Sequence, residues 1–454
     1  MIDKCHFIGI GGIGMSGLAR ILLEENADVS GSDASESSVI DDLRKKGANV
    51  TIGHDRNSIN SNSTVIYSSG IPVDNPEYQA AVELKCKMLH RSDLLLALLR
   101  NQSLLGVTGT HGKTTTSALL AHLFSVGGLD PSFAIGGIIP KKQINALKGK
   151  GQYFIAELDE SDGSFLKFHC NGAIITNIGS DHMDYFGCQD KLIKDFKQFC
   201  SQVKSSDHFF WCGDNMYLKE MSPSGTSYGF SEACQLRALN LIQNGWSQCF
   251  DISYKGVLYS DVTIPLIGSH NVLNSLAVFG LGISYGISEA IIREAFNSFL
   301  GVSRRCEKKG EEQGVLVIDD YAHHPTEISA TLNAIRQAIG ERRLIVIYQP
   351  HRYTRVQNCL GSFGGIFDEA DEVIVTDIYS AGEKTNNSVS HQDIIEENEQ
   401  CSTVPFSYVS RLNLVEEVTK KLQPHDVVVT LGAGDITHVG SNILDLLKKK
   451  SSIN

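Results

Sequence analysis

One glycine-rich segment carries the strongest chemical signal in the sequence, and it lies between a predicted strand and a predicted helix. It reads Gly106-Val107-Thr108-Gly109-Thr110-His111-Gly112-Lys113-Thr114-Thr115. In a loop of this kind the backbone N–H groups surround a β-phosphate, Lys113 neutralises β- and γ-phosphate oxygens, and the Thr114 hydroxyl can bind Mg²⁺. Val107 stands where the usual spacing has glycine, and Gly109 replaces it. This variant argues against the common GTPases and small-molecule kinases and predicts a phosphate site at residues 109–115.

Carboxylates follow the next part of the predicted sheet, where Mg²⁺ would need hard oxygen ligands. The strand Tyr153 to Ala156 leads into four acids, Glu157, Asp159, Glu160 and Asp162. Acid clusters are usually solvated loops, but carboxylates crowded at one strand end repel unless they share a cation. This favours a metal site with Glu157 closest to the sheet. Residues 176–184 end the following strand and hold His182, and spacing alone leaves a second metal ligand and a hydrogen-bonded loop histidine equally open.

Another glycine loop, the first along the chain, lies near the N-terminus between a strand at 6–8 and a helix predicted from about Ser16. Gly9-Ile10-Gly11-Gly12-Ile13-Gly14 fits G-x-G-x-x-G, in which the glycines let the backbone approach a pyrophosphate at a helix start. Asp33 ends the second strand, where a carboxylate can accept hydrogen bonds from ribose hydroxyls. From this loop alone NAD(P) is the first assignment, and a tight turn without a ligand is the alternative. The motif specifies a diphosphate and a ribose more strongly than a nicotinamide.

Cationic and aromatic side chains cap two predicted strands in the last third of the chain, reading DDYAHHP at 319–325 and QPHRYTR at 349–355. Arg352 and Arg355 can bind a carboxylate through paired hydrogen bonds, which lysine does less well. A surface helix start with solvated arginines is the alternative, and the neighbouring Tyr321 and His323 weaken it. The clusters favour an amino-acid substrate, which has a carboxylate to hold and an amine to direct.

Alternating strands and helices must position these loops. Strand, glycine turn and amphipathic helix recur in three stretches, which predicts α/β domains with parallel sheets over residues 1–100, 101–301 and 302–454. Among the predicted elements are strands at 64–67 and 344–348 and a helix from Lys113 to about Val126. Residues 205–265 show short alternating segments, for which we expect antiparallel strands. Residues 307–314 are predicted to form a charged turn.

The composition excludes several classes of protein. With 40 basic and 52 acidic residues among 454, the net charge is -12, and because no basic block is present we expect no nucleic acid partner. No apolar stretch approaches the ~18 residues that span a bilayer, so we expect no membrane insertion. The N-terminus does not resemble a signal peptide. Eleven cysteines without a CxxC pair indicate reduced thiols, and the protein is expected to be soluble and cytoplasmic.

Two phosphate loops in one chain favour a ligase, because an NAD-dependent oxidoreductase needs neither ATP nor Mg²⁺. The motifs resemble those of the Mur ligase family over essentially the whole chain, and most closely those of its alanine-adding branch. The matching segments are HFIGIGGIGMSGLA at 6–19, SGSD at 30–33, GVTGTHGKTTT at 106–116, ELDESDGSFL at 157–166, TNIGSDHMD at 176–184, GSHNVLNSLA at 268–277, GVSRR at 301–305, DDYAHHPTEI at 319–328 and QPHRYTR at 349–355. Jointly these segments are highly specific.

The resemblance implies an enzyme of cytoplasmic peptidoglycan synthesis with three α/β domains. These would be a Rossmann-like N-terminal UDP-binding domain, a central P-loop ATPase-like domain with a mostly parallel sheet, and a Rossmann-like C-terminal domain. The substrates implied are ATP, UDP-N-acetylmuramate and L-alanine, with Mg²⁺ as cofactor and a monomer or homodimer as the assembly. The first glycine loop would then hold the UDP-sugar and not NAD.

The resemblance also implies roles for individual residues. The UDP-sugar would contact Gly9, Gly11, Gly12, Ile13, Gly14, Asp33, Ser68 and Ser69. ATP would contact Gly109, Thr110, His111, Gly112, Lys113, Thr114 and Thr115, with His270 and Asn271 at the adenine. One Mg²⁺ would lie on Thr114 and Glu157 and a second on His182. The L-alanine pocket would comprise Tyr321, His323, Arg352 and Arg355.

The reaction implied activates a carboxylate as an acyl phosphate, which an amine then attacks. Lys113, Glu157, His182 and His323 are the predicted catalytic residues, and His323 or Asp320 is the candidate base by position only. Three alternatives stay open: a sister ligase that attaches a recycled peptide, an NAD-dependent oxidoreductase, and a nucleotide-binding scaffold with degenerate catalysis.

Overall fold

Three sheets of mainly parallel strands organise the protein. The computed structural model describes residues 2–99, 102–179, 181, 183–383 and 388–451. Contacts divide the chain into two units. The first comprises Met1–Asn240, Phe250–Ile264 and Val272–Leu300, and the second comprises Leu241–Cys249, Pro265–Asn271 and Gly301–Asn454.

The N-terminal sheet belongs to the first unit. Its strands are β1 (Lys4–Ile8), β2 (Asp28–Asp33), β3 (Asn49–Ile52), β4 (Thr64–Tyr67) and β5 (Lys87–His90), and its helices are α1 (Ile13–Glu24), α2 (Ser38–Lys45), α3 (Pro76–Glu83) and α4 (Arg91–Leu98). The strands pair in parallel in the order β3-β2-β1-β4-β5. Because the connecting helices cover the faces of a parallel sheet, the central β1 is buried from Cys5 to Ile8. This is the predicted Rossmann-like arrangement.

The central sheet carries the phosphate loop. Its strands are β6 (Ser103–Thr108), β7 (Ser132–Ile139), β8 (Ile144–Leu147), β9 (Tyr153–Glu157), β10 (Gly172–Ile175), β11 (Phe209–Cys212), β12 (Thr226–Gly229), β13 (Leu236–Asn244), β14 (Ser247–Tyr254) and β15 (Val257–Ile264). The helices are α5 (Lys113–Val126), α6 (Met183–Phe186), α7 (Gln189–Gln202), α8 (Met216–Met221), α9 (Ser269–Ser284) and α10 (Glu289–Ser298). The order is β15-β14-β13-β12-β11-β10-β6-β9-β7-β8. Parallel pairing joins β6 to β9 and β10, so the loops after these three strands leave the same edge.

The third sheet lies in the second unit. Its strands are β16 (Glu307–Glu312), β17 (Val315–Asp320), β18 (Leu344–Tyr348), β19 (Glu372–Val375), β20 (Phe406–Tyr408) and β21 (Val427–Leu431), and its helices are α11 (Pro325–Ile339), α12 (Tyr353–Cys359), α13 (His391–Glu399), α14 (Leu414–Lys421) and α15 (Thr437–Ser451). The order is β16-β17-β21-β18-β19-β20. Successive residues of β17 contribute to two separate hydrophobic clusters, Leu316 and Ile318 to one and Val315 and Val317 to the other. Both faces of this sheet are therefore buried.

Most of the predicted elements are confirmed. The predicted helix 113–126 and strands 64–67 and 344–348 coincide with α5, β4 and β18, and the fold class is the predicted one. Helix α1 begins at Ile13, earlier than the predicted Ser16.

Two local predictions are wrong. Strands β11 and β12 pair in parallel with their neighbours, so the antiparallel assignment fails there. Residues 307–312 form the strand β16, antiparallel to β17, where a charged turn was predicted.

All eleven cysteines of the chain are free. Across the ranges described above, no helix is both long and apolar enough to cross a bilayer.

Candidate active site

The phosphate loop (residues 109–115) connects β6 to α5 and depends on its glycines. Gly109 has a φ of +129°, and a Cβ placed on it would lie 2.2 Å from Thr176 Oγ1. Gly112 precedes α5 with a φ of +82°. The N–H groups of Thr110 and His111 donate to the backbone oxygen and the Oδ1 of Asn177, at 3.1 and 2.9 Å. The N–H groups that begin α5 are available to a ligand, since a helix start provides no intrahelical acceptor for them.

Lys113 lies across the loop that precedes it. Its Nζ donates to the Gly109 and Thr110 carbonyl oxygens, at 2.6 and 3.0 Å, and to Glu160 Oε2 at 2.8 Å. Burial lowers the pKa of Lys113, but the nearby carboxylates, Glu160 first, outweigh it and raise the pKa above the ordinary value. The amine is therefore a fixed cation at the helix start, where phosphate oxygens would bind.

Glu160 is part of the candidate site through its contact with Lys113, although sequence reasoning did not single it out. Its side chain is 1% exposed. Burial raises the pKa of Glu160 to about 7, although Lys113 acts in the opposite direction. The only signal in the sequence was its place in the run of acids, which does not show that it pairs with the loop lysine.

Glu157 lies beside the hydroxyl groups of α5. Its Oε1 accepts a hydrogen bond from Thr114 Oγ1 at 3.0 Å, and its Oε2 accepts from Gly136 N at 2.6 Å and Ser117 Oγ at 3.5 Å. The structure thus brings together the two residues predicted to share a Mg²⁺. Both provide the hard oxygen atoms that Mg²⁺ prefers, so this donor set fits the ion.

The remaining prediction for the metal concerns His182, which lies outside the described residues. Within the described part of the chain, no group of three or more His, Cys, Asp or Glu side chains is arranged to hold a metal ion. The second metal ligand therefore stays a prediction.

The other acids of the acid loop (residues 157–162) have a cationic partner from the N-terminal sheet. Arg91, the first residue of α4, donates through Nη2 to Asp159 Oδ2 at 2.9 Å and to Asp162 Oδ2 at 3.3 Å. Burial raises the pKa of Asp159, but Lys113 and Arg91 outweigh it and hold that pKa well below its usual range. Sequence reasoning missed Arg91, because nothing local shows which acids it will meet.

The first glycine loop (residues 9–14) is supported by the predicted carboxylate. Gly11 N donates to Asp33 Oδ2 at 2.8 Å, and a Cβ on Gly11 would lie 2.9 Å from that same oxygen. Asp33 therefore orders the loop itself, in addition to any contact with a ribose. Gly9 has a φ of +76°, and Gly12 caps α1.

The two serines predicted at the UDP-sugar follow β4. Ser69 Oγ donates to Asp162 Oδ2 at 2.7 Å and lies 3.0 Å from His90 Nε2. Ser68 accepts a turn hydrogen bond from Ile71 N at 3.0 Å. Ser69 therefore lies at the acid loop, next to the Arg91 contacts.

In the second unit, Tyr321 and His323 form part of an aromatic cluster. The two rings are 5.3 Å apart, His351 lies 5.8 Å from His323, and Arg304 lies 4.9 Å above the Tyr321 ring. Burial and then the charges of His323 and the nearby arginines lower the pKa of His351 to about 3. His351 and Arg304 were not among the predicted site residues, although both lie in the quoted motifs.

The two predicted arginines have different partners. Arg352 Nε lies 3.4 Å from Glu383 Oε1, whereas Arg355 Nη1 lies 3.4 Å from His351 Nδ1. Arg352 therefore already has a carboxylate partner within the chain, and Arg355 is the one directed to the aromatic cluster. Whether both bind a substrate carboxylate stays a prediction.

The two candidate bases differ in their surroundings. Asp320 is buried, and its oxygens accept hydrogen bonds from Cys306 N at 2.7 Å and Ala322 N at 2.8 Å. Burial raises its pKa. His323 Nδ1 lies 3.0 Å from the Tyr321 carbonyl oxygen. These contacts give Asp320 a structural role and favour His323.

The predicted adenine residues lie in the second unit. Asn271 Nδ2 donates to Ile267 O at 2.8 Å and lies 3.2 Å from His270 Nε2, and His270 is exposed. Their role at an adenine stays a prediction.

Comparison with known proteins finds three family models that match this chain. Family models match residues 4–103 ("Mur ligase family, catalytic domain"), 107–282 ("Mur ligase middle domain") and 304–434 ("Mur ligase, glutamate ligase domain"). A curated UDP-N-acetylmuramate--L-alanine ligase of Protochlamydia amoebophila is 53% identical, and the alignment covers 98% of both chains.

Two further similarities are informative. A "Bifunctional enzyme MurC/Ddl" of Chlamydia caviae is 43% identical over 99% of this chain, which spans 55% of that protein's length. The crystal structure of the UDP-N-acetylmuramate-alanine ligase of Thermotoga maritima superimposes with a TM-score of 0.86 at 28% identity, covering 99% of each chain.

Proposed function

The chain belongs to the Mur ligase family, and we propose that it is an ATP-dependent ligase that adds L-alanine to UDP-N-acetylmuramate in cytoplasmic peptidoglycan synthesis. The observation that carries this proposal is the similarity to a curated enzyme of that activity along 98% of both chains. The phosphate loop around Lys113 supports the use of ATP. A nicotinamide at the first glycine loop is disfavoured, because a dehydrogenase would have no use for the second loop.

The chemistry explains why two nucleotide-bearing substrates are needed. A carboxylate does not accept an amine directly, because no adequate leaving group is present at neutral pH. The lactyl carboxylate oxygen of the sugar attacks the γ-phosphorus of ATP, and ADP leaves. The alanine amine then attacks the acyl carbon, the C–O bond to phosphate breaks, and the amine proton passes to a base.

Lys113 supports the first step by its fixed charge. Negative charge is spread over the transferring phosphoryl oxygens, and a preorganised cation stabilises it without reorganisation. Because ATP must take Lys113 from Glu160, nucleotide binding would exchange one anionic partner of the amine for another.

Thr114 and Glu157 would hold the Mg²⁺ that accompanies the nucleotide, with His182 as the proposed ligand of a second ion. The ion would supply further positive charge at the phosphate oxygens. Apart from holding it, Glu157 orients the Thr114 hydroxyl through the 3.0 Å hydrogen bond.

The UDP-sugar would lie on the first glycine loop, with Asp33, Ser68 and Ser69 beside it. L-alanine would bind in the second unit near Tyr321, His323, Arg352 and Arg355. The amine must be neutral to attack, and His323 is the base we propose, since Asp320 already accepts two backbone hydrogen bonds.

Phosphate release from ATP in the presence of UDP-N-acetylmuramate tests the proposal. Amino acids are added one at a time: L-alanine, glycine and L-serine, followed by a tripeptide. We expect release that depends on both the UDP-sugar and L-alanine. Release that requires the tripeptide would indicate the sister ligase, and NAD reduction without ATP dependence would indicate an oxidoreductase.

A further inference from the structure

Arg91 connects the two nucleotide loops of the first unit. It begins α4 in the N-terminal sheet, and its Nη2 holds Asp159 and Asp162 of the acid loop at 2.9 and 3.3 Å. Ser69 donates to the same Asp162 oxygen at 2.7 Å. The acid loop is thus held by the side chains of Ser69 and Arg91, each of which follows a strand of the N-terminal sheet.

The acid loop in turn holds the lysine of the phosphate loop. Asp159 is followed directly by Glu160, whose Oε2 accepts from Lys113 Nζ at 2.8 Å. Glu160 is almost fully buried, at 1% exposure, so its carboxylate has little freedom to follow the lysine elsewhere. The position of Lys113 therefore depends on a loop that Arg91 helps to fix.

The other end of the guanidinium faces the first glycine loop. A Cβ placed on Gly14 would lie 3.1 Å from Arg91 Nη1. Among the described residues nothing forms a hydrogen bond with Nη1, while Nη2 is fully engaged by the two aspartates. One planar group therefore presents one nitrogen to the acid loop and the other to the start of α1.

We propose that Arg91 is a positioning residue that couples the two nucleotide loops, so that the UDP-sugar and ATP each bind more tightly when the other is present. This deepens the proposed function and rests on it. A diphosphate at the first loop fixes the guanidinium through Nη1. The fixed guanidinium holds Asp159 and Asp162, and the ordered acid loop keeps Lys113 beside the phosphate loop until the nucleotide phosphates replace Glu160 as its anionic partner.

The charges of these side chains also predict that Arg91 strengthens nucleotide binding. Arg91 neutralises Asp159, whose negative charge otherwise acts on Lys113 together with Glu160. Without Arg91 that charge would compete with the incoming phosphates for the lysine. Binding coupling is reciprocal, so the effect on the UDP-sugar must equal the effect on ATP.

The test measures the dissociation constant of a non-hydrolysable ATP analogue by calorimetry, with and without UDP-N-acetylmuramate. The variants are Arg91→Ala and Arg91→Lys. The matched control is Lys167→Ala, which removes the Lys167–Asp93 ion pair at 2.5 Å, another contact of α4 that does not involve the acid loop. Thermal unfolding checks that each variant is folded.

In the wild type and Lys167→Ala we expect the UDP-sugar to tighten analogue binding by a factor of about 5–150. In Arg91→Ala the factor should fall to near one, and the analogue alone should bind about tenfold more weakly, as for loss of one charge-assisted contact. Arg91→Lys keeps the charge on the acid loop but lacks the second nitrogen. It should bind the analogue alone nearly as well as the wild type and still lose the coupling.

Each outcome decides the proposal. No coupling in the wild type, or unchanged coupling in Arg91→Ala, would overturn it while leaving the ligase assignment intact. If the UDP-sugar does not bind the wild type at all, the proposed function fails. In that case the analogue alone still tests the link from Arg91 to Lys113, and equal affinity in the wild type and Arg91→Ala would refute it. If Arg91→Ala does not fold, Arg91→Lys decides, and retained coupling there counts against the proposal.

Discussion

Replacing Lys113 by alanine should separate two roles of this residue, one in stability and one in catalysis. The Lys113 side chain is 12% exposed and the Glu160 side chain 1% exposed, so the variant leaves the Glu160 carboxyl group buried without its cation. Breaking a buried pair in this way costs up to about 3–5 kcal/mol of the free energy of unfolding, and less at a pH below the Glu160 pKa of about 7, where the carboxyl group carries a proton. Loss of the fixed charge at the phosphate oxygens should lower the rate of ADP formation by about 10²–10³-fold, while the UDP-sugar still binds.

The second substitution, Glu160→Gln, distinguishes the two roles. Added to Lys113→Ala, it removes the unpaired carboxylate with little change of shape, so most of the lost stability should return. ADP formation should stay low, because the phosphate oxygens still lack their cation. Lys167→Ala serves as the control: its ion pair is 40% exposed on both sides and should contribute no more than about 1 kcal/mol.

The same carboxyl group predicts a pH dependence of stability in the nucleotide-free protein. Burial raises the pKa of Glu160 from 4.5 to about 7. The folded state therefore retains a proton between these values that the unfolded state releases. This contribution to the free energy of unfolding is fully present below pH 4.5 and is lost as the pH rises to about 7. Glu160→Gln should remove that slope.

Denaturant unfolding and a coupled ADP assay measure both roles on the same preparations. ADP formation at the wild-type rate by Lys113→Ala would refute the catalytic role of Lys113. Failure of Glu160→Gln to restore stability in the Lys113→Ala background would refute its role in pairing the buried carboxyl group.

Two further substitutions test the geometry of the sites. Gly109→Ala places a Cβ 2.2 Å from Thr176 Oγ1 at a φ of +129°, so we expect this variant to lose ATP binding. The control is Gly179→Ala, in which the nearest contact of the added Cβ would be 3.5 Å, and it should bind ATP normally. Equal ATP binding by the two variants would count against the loop geometry. Arg355→Ala should raise the KM for L-alanine at least about tenfold more than the KM for ATP, as for loss of a hydrogen bond to a charged group, and equal changes in initial-rate measurements would contradict a substrate carboxylate there.

The elements predicted well from the sequence are those with a strong local signal, either a glycine turn or a continuous apolar run. Helix α5 was predicted at both ends, because Gly112 precedes it and a glycine pair follows it. Strand β18 is a continuous apolar run between polar segments, as expected for a strand buried on both faces. Local signals were sufficient in both cases.

The failed predictions concern segments whose structure depends on a neighbour. Strand β16, with the sequence EKKGEE, has no apolar alternation and forms only because β17 provides a partner at the sheet edge. Strand β11 is buried at every position, so its sequence lacks the information that would distinguish parallel from antiparallel pairing.

The contacts of the candidate site show the same limit. The sequence predicted that Glu157 lies near Thr114, because Glu157 comes at the end of one strand and Thr114 follows the loop after a neighbouring strand, at the same edge of the sheet. It did not predict that Arg91 meets Asp159, since Arg91 begins α4 and Asp159 lies in the loop after β9, and no local pattern encodes the contact. Motifs locate the groups that carry chemistry, and tertiary packing decides which of them meet.

Transfer of oxygen from the sugar to phosphate tests the activated-carboxylate account most directly. UDP-N-acetylmuramate is labelled with ¹⁸O in its lactyl carboxylate and incubated with ATP, L-alanine and the protein, and the inorganic phosphate is analysed by mass spectrometry. We expect one carboxylate oxygen in each phosphate released, in step with amide formation. Unlabelled phosphate alongside normal amide formation would contradict it.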